Sequence, residues 1–159
     1  KGDVSGWVSY TLSWAKRNTP GVNNGNDYYY QFDRRHYLNV VSQIKINDRT
    51  ALSTNIVFST GNVQSIPSGK HLDINGNIVY EYEEKNNYRL NNTFRIDMGL
   101  TRTREYSWFK ESGWNFSVYN LLARRNPAYI YIDNSGTKPK AYQRTFLMFI
   151  PGISWYTKF

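Results

Sequence analysis

The chain has 159 residues with 20 Lys or Arg against 12 Asp or Glu, which gives a formal net charge of +8. This length fits one domain, and the absence of cysteine excludes disulfide scaffolds and thiolate metal sites. Aromatic residues are unusually frequent, since 14 Tyr, 8 Phe and 5 Trp make up 17% of the chain. A membrane-spanning helix needs about 20 apolar residues in a row, and the sequence has no such run. Membrane-spanning strands are apolar on one face only, so these observations do not exclude a transmembrane β-barrel.

Apolar and polar residues alternate along six segments of the chain, which is the period of a β-strand with one apolar face. In the first segment, 6–15, one parity carries Val8, Tyr10, Leu12 and Trp14, and the other carries Ser and Thr. The remaining segments are approximately 34–46, 50–60, 93–105, 113–124 and 147–159. The pattern predicts six long antiparallel strands in consecutive order and no long helix.

The two parities predict which residues share each face of the sheet. The side chains expected to point outward, towards lipid, are Val8, Tyr10, Leu12, Trp14, Leu38, Val40, Ile44, Phe94, Ile96, Phe116, Val118, Phe149 and Ile153. Those expected to point inward are Arg35, Asn39, Gln43, Asn55, Arg95, Asp97 and Asn115. A slip of one residue in any strand would invert its face, so this is a strict expectation.

Strand length and loop length both favour a membrane barrel over a soluble antiparallel sandwich. Strands of soluble proteins usually have about 5–6 residues, whereas membrane strands have about 9–11. Long polar connections at 17–33, 61–92 and 125–141 alternate with short ones at 47–49 and 106–112. Long outer loops alternating with short inner turns are typical of outer-membrane barrels.

Two local patterns agree with this interpretation. Trp7, Trp108, Trp114 and Trp155 fall near the strand ends on the short-turn side, where amphipathic rings concentrate at a membrane–water interface. Within the longest loop, Asn75-Gly76 predicts a hairpin over 71–82. Its arms are too short to span a bilayer.

The last segment, 143–159, resembles the C-terminal insertion signal of Gram-negative outer-membrane proteins. Ile153, Trp155 and the terminal Phe159 share one parity, although Thr157 stands where an aromatic or apolar residue is usual. An apolar strand that ends in an aromatic residue can pair with an open barrel edge during insertion. Pro151 removes one ladder hydrogen bond and predicts a bulge or bend.

Further segments extend this resemblance to a family. Residues 32–36, 94–99 and 114–133, together with the terminal Phe, resemble the C-terminal barrel of TonB-dependent outer-membrane receptors, most of all those of Bacteroidetes. The resemblance implies a 22-stranded barrel around an N-terminal plug, of which 1–159 would be the C-terminal part without the plug. Six strands are too few to close a barrel, for which eight are about the minimum. The chain starts at Lys1 without an initiator Met or signal peptide, so we expect a processed or truncated start.

The function implied by this resemblance is active uptake of a scarce nutrient, such as a siderophore, cofactor, peptide or oligosaccharide, across the outer membrane. The implied partners are outer-membrane lipid and lipopolysaccharide, the rest of the barrel and its plug, the TonB complex, the barrel-assembly machinery and, in some members, a surface lipoprotein. The glycan-importing members of this family have a DPE-type segment near their C-terminus, and this sequence lacks it. Its absence weakens the assignment of a polysaccharide as the substrate. The alternative is a complete eight-stranded barrel with a structural or adhesive role, in which 71–82 supplies two strands.

The basic residues support two interpretations. Arg34, Arg35, Arg102, Arg104, Arg124, Arg125, Lys138 and Lys140 lie mostly near loop ends. On an outer surface they could bind lipopolysaccharide phosphates. A nucleic-acid binder would also combine Lys and Arg with stacking aromatics. Here the aromatics share strand faces with Leu, Ile and Val, which favours lipid, so we expect no nucleic-acid partner.

The candidate site residues are those of the inward parity and the aromatic loops. The candidates for the lumen or plug-facing wall are Arg35, Tyr37, Asn39, Arg95, Asp97 and Tyr119. The candidates for ligand contact in the outer loops are Tyr28, Tyr29, Tyr30, Tyr129 and Tyr131.

No catalytic arrangement is recognisable in the sequence, and we expect neither enzymatic activity nor a cofactor. Ser112 and the other serines have no His and acid in a recognised order. His71 and Asp73 have a spacing that could hold a metal loosely, but no further ligands accompany them. The acidic group Glu81, Glu83 and Glu84 is interpreted as the solvated flank of a hairpin.

Overall fold

The computed structural model describes residues 3–105, 110–145 and 147–159, and its fold is all-β. The predicted position of Trp108 lies outside the described residues. The strands are β1 (Val4–Leu12), β2 (Lys16–Arg17), β3 (Tyr28–Tyr29), β4 (His36–Asn47), β5 (Thr50–Ser59), β6 (Val63–Gln64), β7 (Gly69–Leu72), β8 (Ile78–Glu81), β9 (Tyr88–Arg89), β10 (Thr93–Arg104), β11 (Glu111–Tyr119), β12 (Pro127–Asp133), β13 (Lys140–Thr145) and β14 (Ile150–Lys158). Helical structure in the described ranges is limited to a 3₁₀ turn at Asn23–Gly25. None of the helical structure described is long and apolar enough to cross a membrane.

The six long strands form one antiparallel sheet in the order β1-β4-β5-β10-β11-β14. This is their order along the chain, so the prediction of six consecutive antiparallel strands is confirmed. Strands β1 and β14 occupy the two edges, and within the described ranges no pairing joins them, so the sheet is open.

Three predicted strand boundaries are wrong. Strand β1 ends at Leu12, which leaves Trp14 beyond it, and β11 ends at Tyr119 instead of near residue 124. Strand β14 begins at Ile150 instead of near residue 147. The backbone of Asn120 and Ala123 has φ values of 54° and 50°. These left-handed conformations are incompatible with extended pairing, and they turn the chain away from the sheet.

The pairing register separates the sheet into two chemically different faces. Leu100 lies opposite Leu52 on one side and Phe116 on the other, and Phe116 lies opposite Ile153. We call this side the apolar face; it consists of Val4, Val8, Tyr10, Leu12, Leu38, Val40, Ile44, Leu52, Ile56, Phe58, Phe94, Ile96, Met98, Leu100, Trp114, Phe116, Val118, Ile153 and Trp155. We call the other side the polar face; its members include Tyr37, Asn39, Gln43, Ser53, Asn55, Arg95, Asp97, Thr101, Asn115, Ser117 and Tyr119.

Most residues expected to share a face therefore do so, with a few exceptions. Trp14, Arg35 and Phe149 lie outside the strands, so the sheet does not fix their direction. Pro151 pairs with Val118 in an unbroken register, and the predicted bulge is absent from this pairing. A proline is compatible with regular pairing here because β14 is an edge strand.

The connections are sorted between the two ends of the sheet, as the sequence predicts. The long connections 13–35, 60–92 and 120–149 all follow or precede strands at one end, which we call the long-loop end. The connections between β4 and β5 and between β10 and β11 are short and define the short-turn end. Because consecutive strands pair antiparallel, successive connections lie at alternate ends of the sheet.

The long connections contain short hairpins, which the sequence analysis identified only in part. Strands β7 and β8, four residues each, form the predicted hairpin, and Gly76 takes φ 81° in its turn. The pairs β2–β3, β6–β9 and β12–β13 were not predicted, and 125–141 is not the irregular loop expected there. Each pair forms a separate two-stranded sheet.

The base of the longest connection is closely packed. Val63 and Leu90 are 2% and 3% exposed. Gly61 lies so close to this pair that an added Cβ would be 2.0 Å from the Leu90 carbonyl oxygen and 2.8 Å from that of Asn91. Both are backbone atoms held near the β6–β9 pair, so only glycine fits at this position.

We expect Gly61→Ala to destabilise the base of this loop by about 1–3 kcal/mol, because backbone must move to accommodate the methyl group. Hydrogen exchange at Val63 and Leu90, measured in the native polypeptide that carries this sequence, would rise. The matched control is Gly136→Ala, whose new Cβ would meet its nearest atom at 3.6 Å. Equal exchange in the two variants would contradict this account.

Candidate functional site

A hydrogen-bonded network of polar side chains crosses three strands on the polar face. The Arg95 Nε donates to Asp97 Oδ2 at 2.9 Å, and its Nη1 donates to the Tyr119 hydroxyl at 2.9 Å. Asn55 Nδ2 approaches the same Asp97 oxygen at 3.4 Å, and the Asn120 backbone N–H donates to Oδ1 at 2.9 Å. The Arg95 guanidinium also lies 4.4 Å from the centre of the Tyr119 ring. The charges of Arg95 and Asp97 are therefore compensated on the face itself.

Three buried amide oxygens in or near this part of the sheet have no donor. In the part of the chain that the structure describes, no hydrogen bond reaches Oδ1 of Asn39, Asn55 or Asn120. An unsatisfied buried acceptor costs about 1–3 kcal/mol. The polar face thus combines satisfied charges with amide oxygens that are enclosed by the chain itself.

A buried ion pair ties the first two long connections together. Asp33 is 1% exposed, and its Oδ2 lies 2.5 Å from Arg89 Nη2. Its Oδ1 accepts the Ala15 N–H at 2.6 Å. Arg89 also donates to the carbonyl oxygens of Asp33 and Gly61, at 2.9 Å and 2.7 Å. This pair fixes the position at which the first loop meets the second.

The surroundings of Asp33 favour its ionised form. Burial by itself raises the pKa of a carboxyl group, but here this effect is outweighed. The hydrogen bonds from the Ala15 N–H and Arg89, and the charges of Arg89 and Arg35, hold the pKa of Asp33 below its ordinary value. The carboxylate is therefore charged throughout the neutral range.

The predicted ligand tyrosines of the first loop serve as packing residues. The Tyr29 ring lies 5.6 Å from Lys16 Nζ, 5.9 Å from the Arg35 guanidinium and 5.3 Å from that of Arg89. Arg17 lies 3.9 Å from the Tyr30 ring. The Tyr28 hydroxyl lies 2.9 Å from the Thr19 hydroxyl, and all three tyrosines are half-buried.

The tyrosines of the last connection are more accessible. Tyr129 and Tyr131 lie on β12, not in an irregular loop, and are 49% and 48% exposed. In the β12–β13 hairpin Tyr131 is opposite Tyr142, and Tyr129 is opposite Arg144, whose guanidinium lies 5.6 Å from the Tyr131 ring. These four residues form an exposed aromatic and basic face, which we call the tyrosine face.

The hairpins hold one another at the long-loop end. Lys70 Nζ donates to the Asn134 carbonyl oxygen at 2.5 Å, and the Asn134 amide donates to the Tyr80 hydroxyl. Asn126 exchanges hydrogen bonds with both backbone groups of Phe94, each at 3.0 Å. The tyrosine face is thus carried on a braced hairpin.

The structure brings together only some of the candidate residues. Arg95, Asp97 and Tyr119 form one network, whereas Tyr37 and Asn39 lie on β4, apart from it. Arg35 lies before β4 and packs 4.7 Å from the Trp14 ring. Sequence reasoning missed Asp33, Arg89 and Tyr142; alternation could have placed Tyr142, but no sequence signal links Asp33 to Arg89.

The residues of the predicted insertion signal end the edge strand. The rings of Trp155 and Trp114 are 6.4 Å apart, and the Trp155 indole N–H donates to Ser112 Oγ at 2.9 Å. Ile153 lies opposite Phe116, and Phe159 follows β14 with 82% of its surface exposed. The parity expected for Ile153 and Trp155 agrees with the register.

The weak metal hypothesis at His71 and Asp73 gains no support from the geometry. His71 Nδ1 lies 2.8 Å from Glu81 Oε1, while Asp73 Oδ1 accepts the N–H groups of Asn75 and Asn77 at 2.8 Å. These contacts are those of an Asx turn that shapes the hairpin. No group of three or more metal-ligating side chains occurs among the described residues.

Comparison of the chain with protein families, with curated proteins and with solved structures finds no match.

We expect Asp33→Asn to loosen the first loop, because the substitution leaves the partly buried Arg89 charge without its counter-ion. The local opening free energy should fall by about 1.5–3 kcal/mol. Hydrogen exchange at the Ala15 amide measures this opening free energy directly. Asp27→Asn, at an exposed aspartate, is the control.

A pH dependence of the same amide is expected in the unsubstituted protein. Since folding lowers the pKa of Asp33, the protection of the Ala15 amide is complete above pH about 4 and is lost as the pH falls through the lowered pKa. Protection that is independent of pH between about 2 and about 5, the range around the ordinary pKa of an aspartate, would contradict this role.

Proposed function

We propose that this chain is part of the wall of an outer-membrane TonB-dependent receptor, a barrel that imports a scarce nutrient in a Gram-negative bacterium. The observation that carries the proposal is the apolar face, which continues across all six strands in register. A soluble single sheet could not leave such a face uncovered, since large exposed apolar patches mark membrane or protein contacts.

The exposure of this face supports lipid as its environment. Val8 is 69% exposed, Ile153 64% and Trp155 57%. Strand β10 has 12 residues. At about 3.4 Å per residue and a tilt of about 40°, such a strand covers about 30 Å along the membrane normal, similar to the apolar band of about 25 Å in membrane barrels.

The two open edges support a larger barrel. Both β1 and β14 expose backbone groups that would remain unpaired in hydrocarbon, where each costs several kcal/mol. A membrane wall therefore requires further strands at both edges. In the proposed receptor those strands come from the rest of the barrel.

The polar face supports a protein-filled lumen. The Arg95 and Asp97 charges compensate each other on this face, and Tyr119 joins their network, so the face offers hydrogen-bonding groups without an excess charge at this point. Such a surface suits the docking of a folded plug. In this proposal the wall is a passive structure and no catalytic step belongs to it.

The long-loop end supports recognition at the cell surface. In outer-membrane barrels the long loops are extracellular and the short turns periplasmic. The tyrosine face of Tyr129, Tyr131, Tyr142 and Arg144 is the most exposed candidate for contact with a nutrient.

The alternative of a complete eight-stranded barrel is favoured less by the geometry. Its two additional strands would come from β7 and β8, which have four residues each and pair only with each other. The mass of the intact polypeptide from outer membranes separates the alternatives. A mass near 18.7 kDa favours the small barrel, and a much larger one favours the receptor.

The test of the proposal uses adjacent residues on opposite faces. Because the chain has no cysteine, Phe116→Cys and Ser117→Cys can each carry one spin label in the native polypeptide in isolated outer membranes. Oxygen concentrates in lipid, and a nickel chelate stays in water. We expect a high ratio of oxygen to chelate collisions at position 116 and a low one at 117.

The outcome that contradicts the proposal is a ratio of oxygen to chelate collisions at position 116 that is no higher than the ratio at position 117. The pair is matched in depth because the residues are neighbours on β11. A difference between them therefore reports the face and not the distance from the membrane surface.

A further inference from the structure

The apolar face changes character in three layers towards the short-turn end. The first layer is apolar, with Leu100 opposite Phe116 and Phe116 opposite Ile153. The next layer pairs Arg102 with Trp114, and Trp114 with Trp155; in the last, Arg104 pairs with Ser112 and Ser112 with Thr157. Successive layers are about 6.8 Å apart along the strands, since each is two residues further on. Hydrocarbon, aromatic and cationic side chains thus follow one another in the order of a bilayer boundary.

These layers line a groove of about 610 Å³ on the apolar face. Its apolar wall consists of Trp114, Phe116, Ile153 and Trp155, and its basic rim of Arg49, Arg102 and Arg104. The indoles are held in place, because Trp155 donates to Ser112 Oγ at 2.9 Å and Trp114 stacks on Phe116 at 6.4 Å. The groove is therefore a formed surface with one apolar side and one cationic side.

Arg102 forms no ion pair within the described part of the chain. No carboxylate among the described residues lies within ion-pair distance of its guanidinium, and the residue is exposed. Arg49 is held beside it by backbone bonding, since the Thr103 N–H donates to the Arg49 carbonyl oxygen at 2.7 Å. The nearby Asp48 is already paired with Lys45 at 2.5 Å, and Arg49 adds to the effect that keeps the pKa of Asp48 low. The rim has a net positive charge.

We infer that this groove binds an anionic phospholipid of the periplasmic leaflet, with its phosphodiester at Arg102 and Arg49 and one acyl chain along Phe116 and Ile153. The inference rests on the proposed function, because only a membrane wall presents this face to lipid. Guanidinium groups bind phosphate with paired N–H donors, and each basic residue at a membrane surface adds a measurable attraction to anionic lipid. The short-turn end is the periplasmic end in barrels, which selects phospholipid over lipopolysaccharide.

The sequence analysis grouped Arg102 and Arg104 with the basic residues that could bind lipopolysaccharide on an outer surface. Arg34, Arg35, Arg124 and Arg125 lie at the long-loop end, whereas Arg102 and Arg104 lie at the opposite end of β10. The arginines that the sequence places near loop ends are therefore divided between the two ends of the sheet.

The experiment places the native polypeptide in nanodiscs containing phosphatidylglycerol or phosphatidylcholine with a photoactivatable acyl chain, and maps the crosslinks by mass spectrometry. We expect crosslinks on β11 and β14 to form preferentially with phosphatidylglycerol. Arg102→Gln should reduce that preference about fivefold, and Arg102→Lys should retain most of it, because the attraction is electrostatic. Arg125→Gln, the same change in charge at the other end of the sheet, should leave it unaltered.

The outcomes separate this site from the proposed function. Equal crosslinking by the two lipids, or a preference unchanged in both Arg102→Gln and Arg49→Gln, overturns the phospholipid site and leaves the membrane wall intact. Loss of the preference in excess inorganic phosphate but not in sodium chloride of the same ionic strength also overturns it, since this would identify an anion site and not a lipid site. Absence of crosslinks to β11 and β14 with either lipid overturns the proposed function itself.

Discussion

The rest of the structure depends on one constraint, the register that keeps six strands in phase. Because side chains alternate with a period of two, one slipped strand would put its apolar residues among polar ones. The pairs Val8–Val40, Val40–Ile56, Ile56–Ile96 and Phe116–Ile153 all join like with like. The two faces can therefore have different environments only as long as every strand keeps this alignment.

The polar face and the loops use their charges in different ways. Arg95 and Asp97 are two residues apart on one strand, so a short side-chain bridge compensates both charges within the sheet. Asp33 and Arg89 are 56 residues apart and bury their pair between two loops. The first arrangement cancels the two charges on the polar face, and the second fixes the first two long loops to each other.

The two ends of the sheet are specialised because consecutive antiparallel strands return the chain to the same side. The long connections at the long-loop end form hairpins outside the six-stranded sheet. Hydrogen bonds of Lys70 and Asn134 join two of these hairpins, and Asn126 bonds to the backbone of Phe94 in the sheet. At the short-turn end the pairing register places the layered Arg and Trp residues at defined positions along β10, β11 and β14. The two ends of the sheet therefore differ in chain length and in the residues that they present.

The amino-acid sequence by itself determined the strand period, the six long segments, their faces and the sorting of loops, because all of these depend on local alternation and turn residues. It located the Asn75-Gly76 hairpin for the same reason. Only the tertiary structure decided the Asp33–Arg89 pair, the β6–β9 pair and the tyrosine face of β12 and β13. These contacts join residues far apart in the chain, and their formation depends on how loops of irregular sequence pack, which no local periodicity encodes.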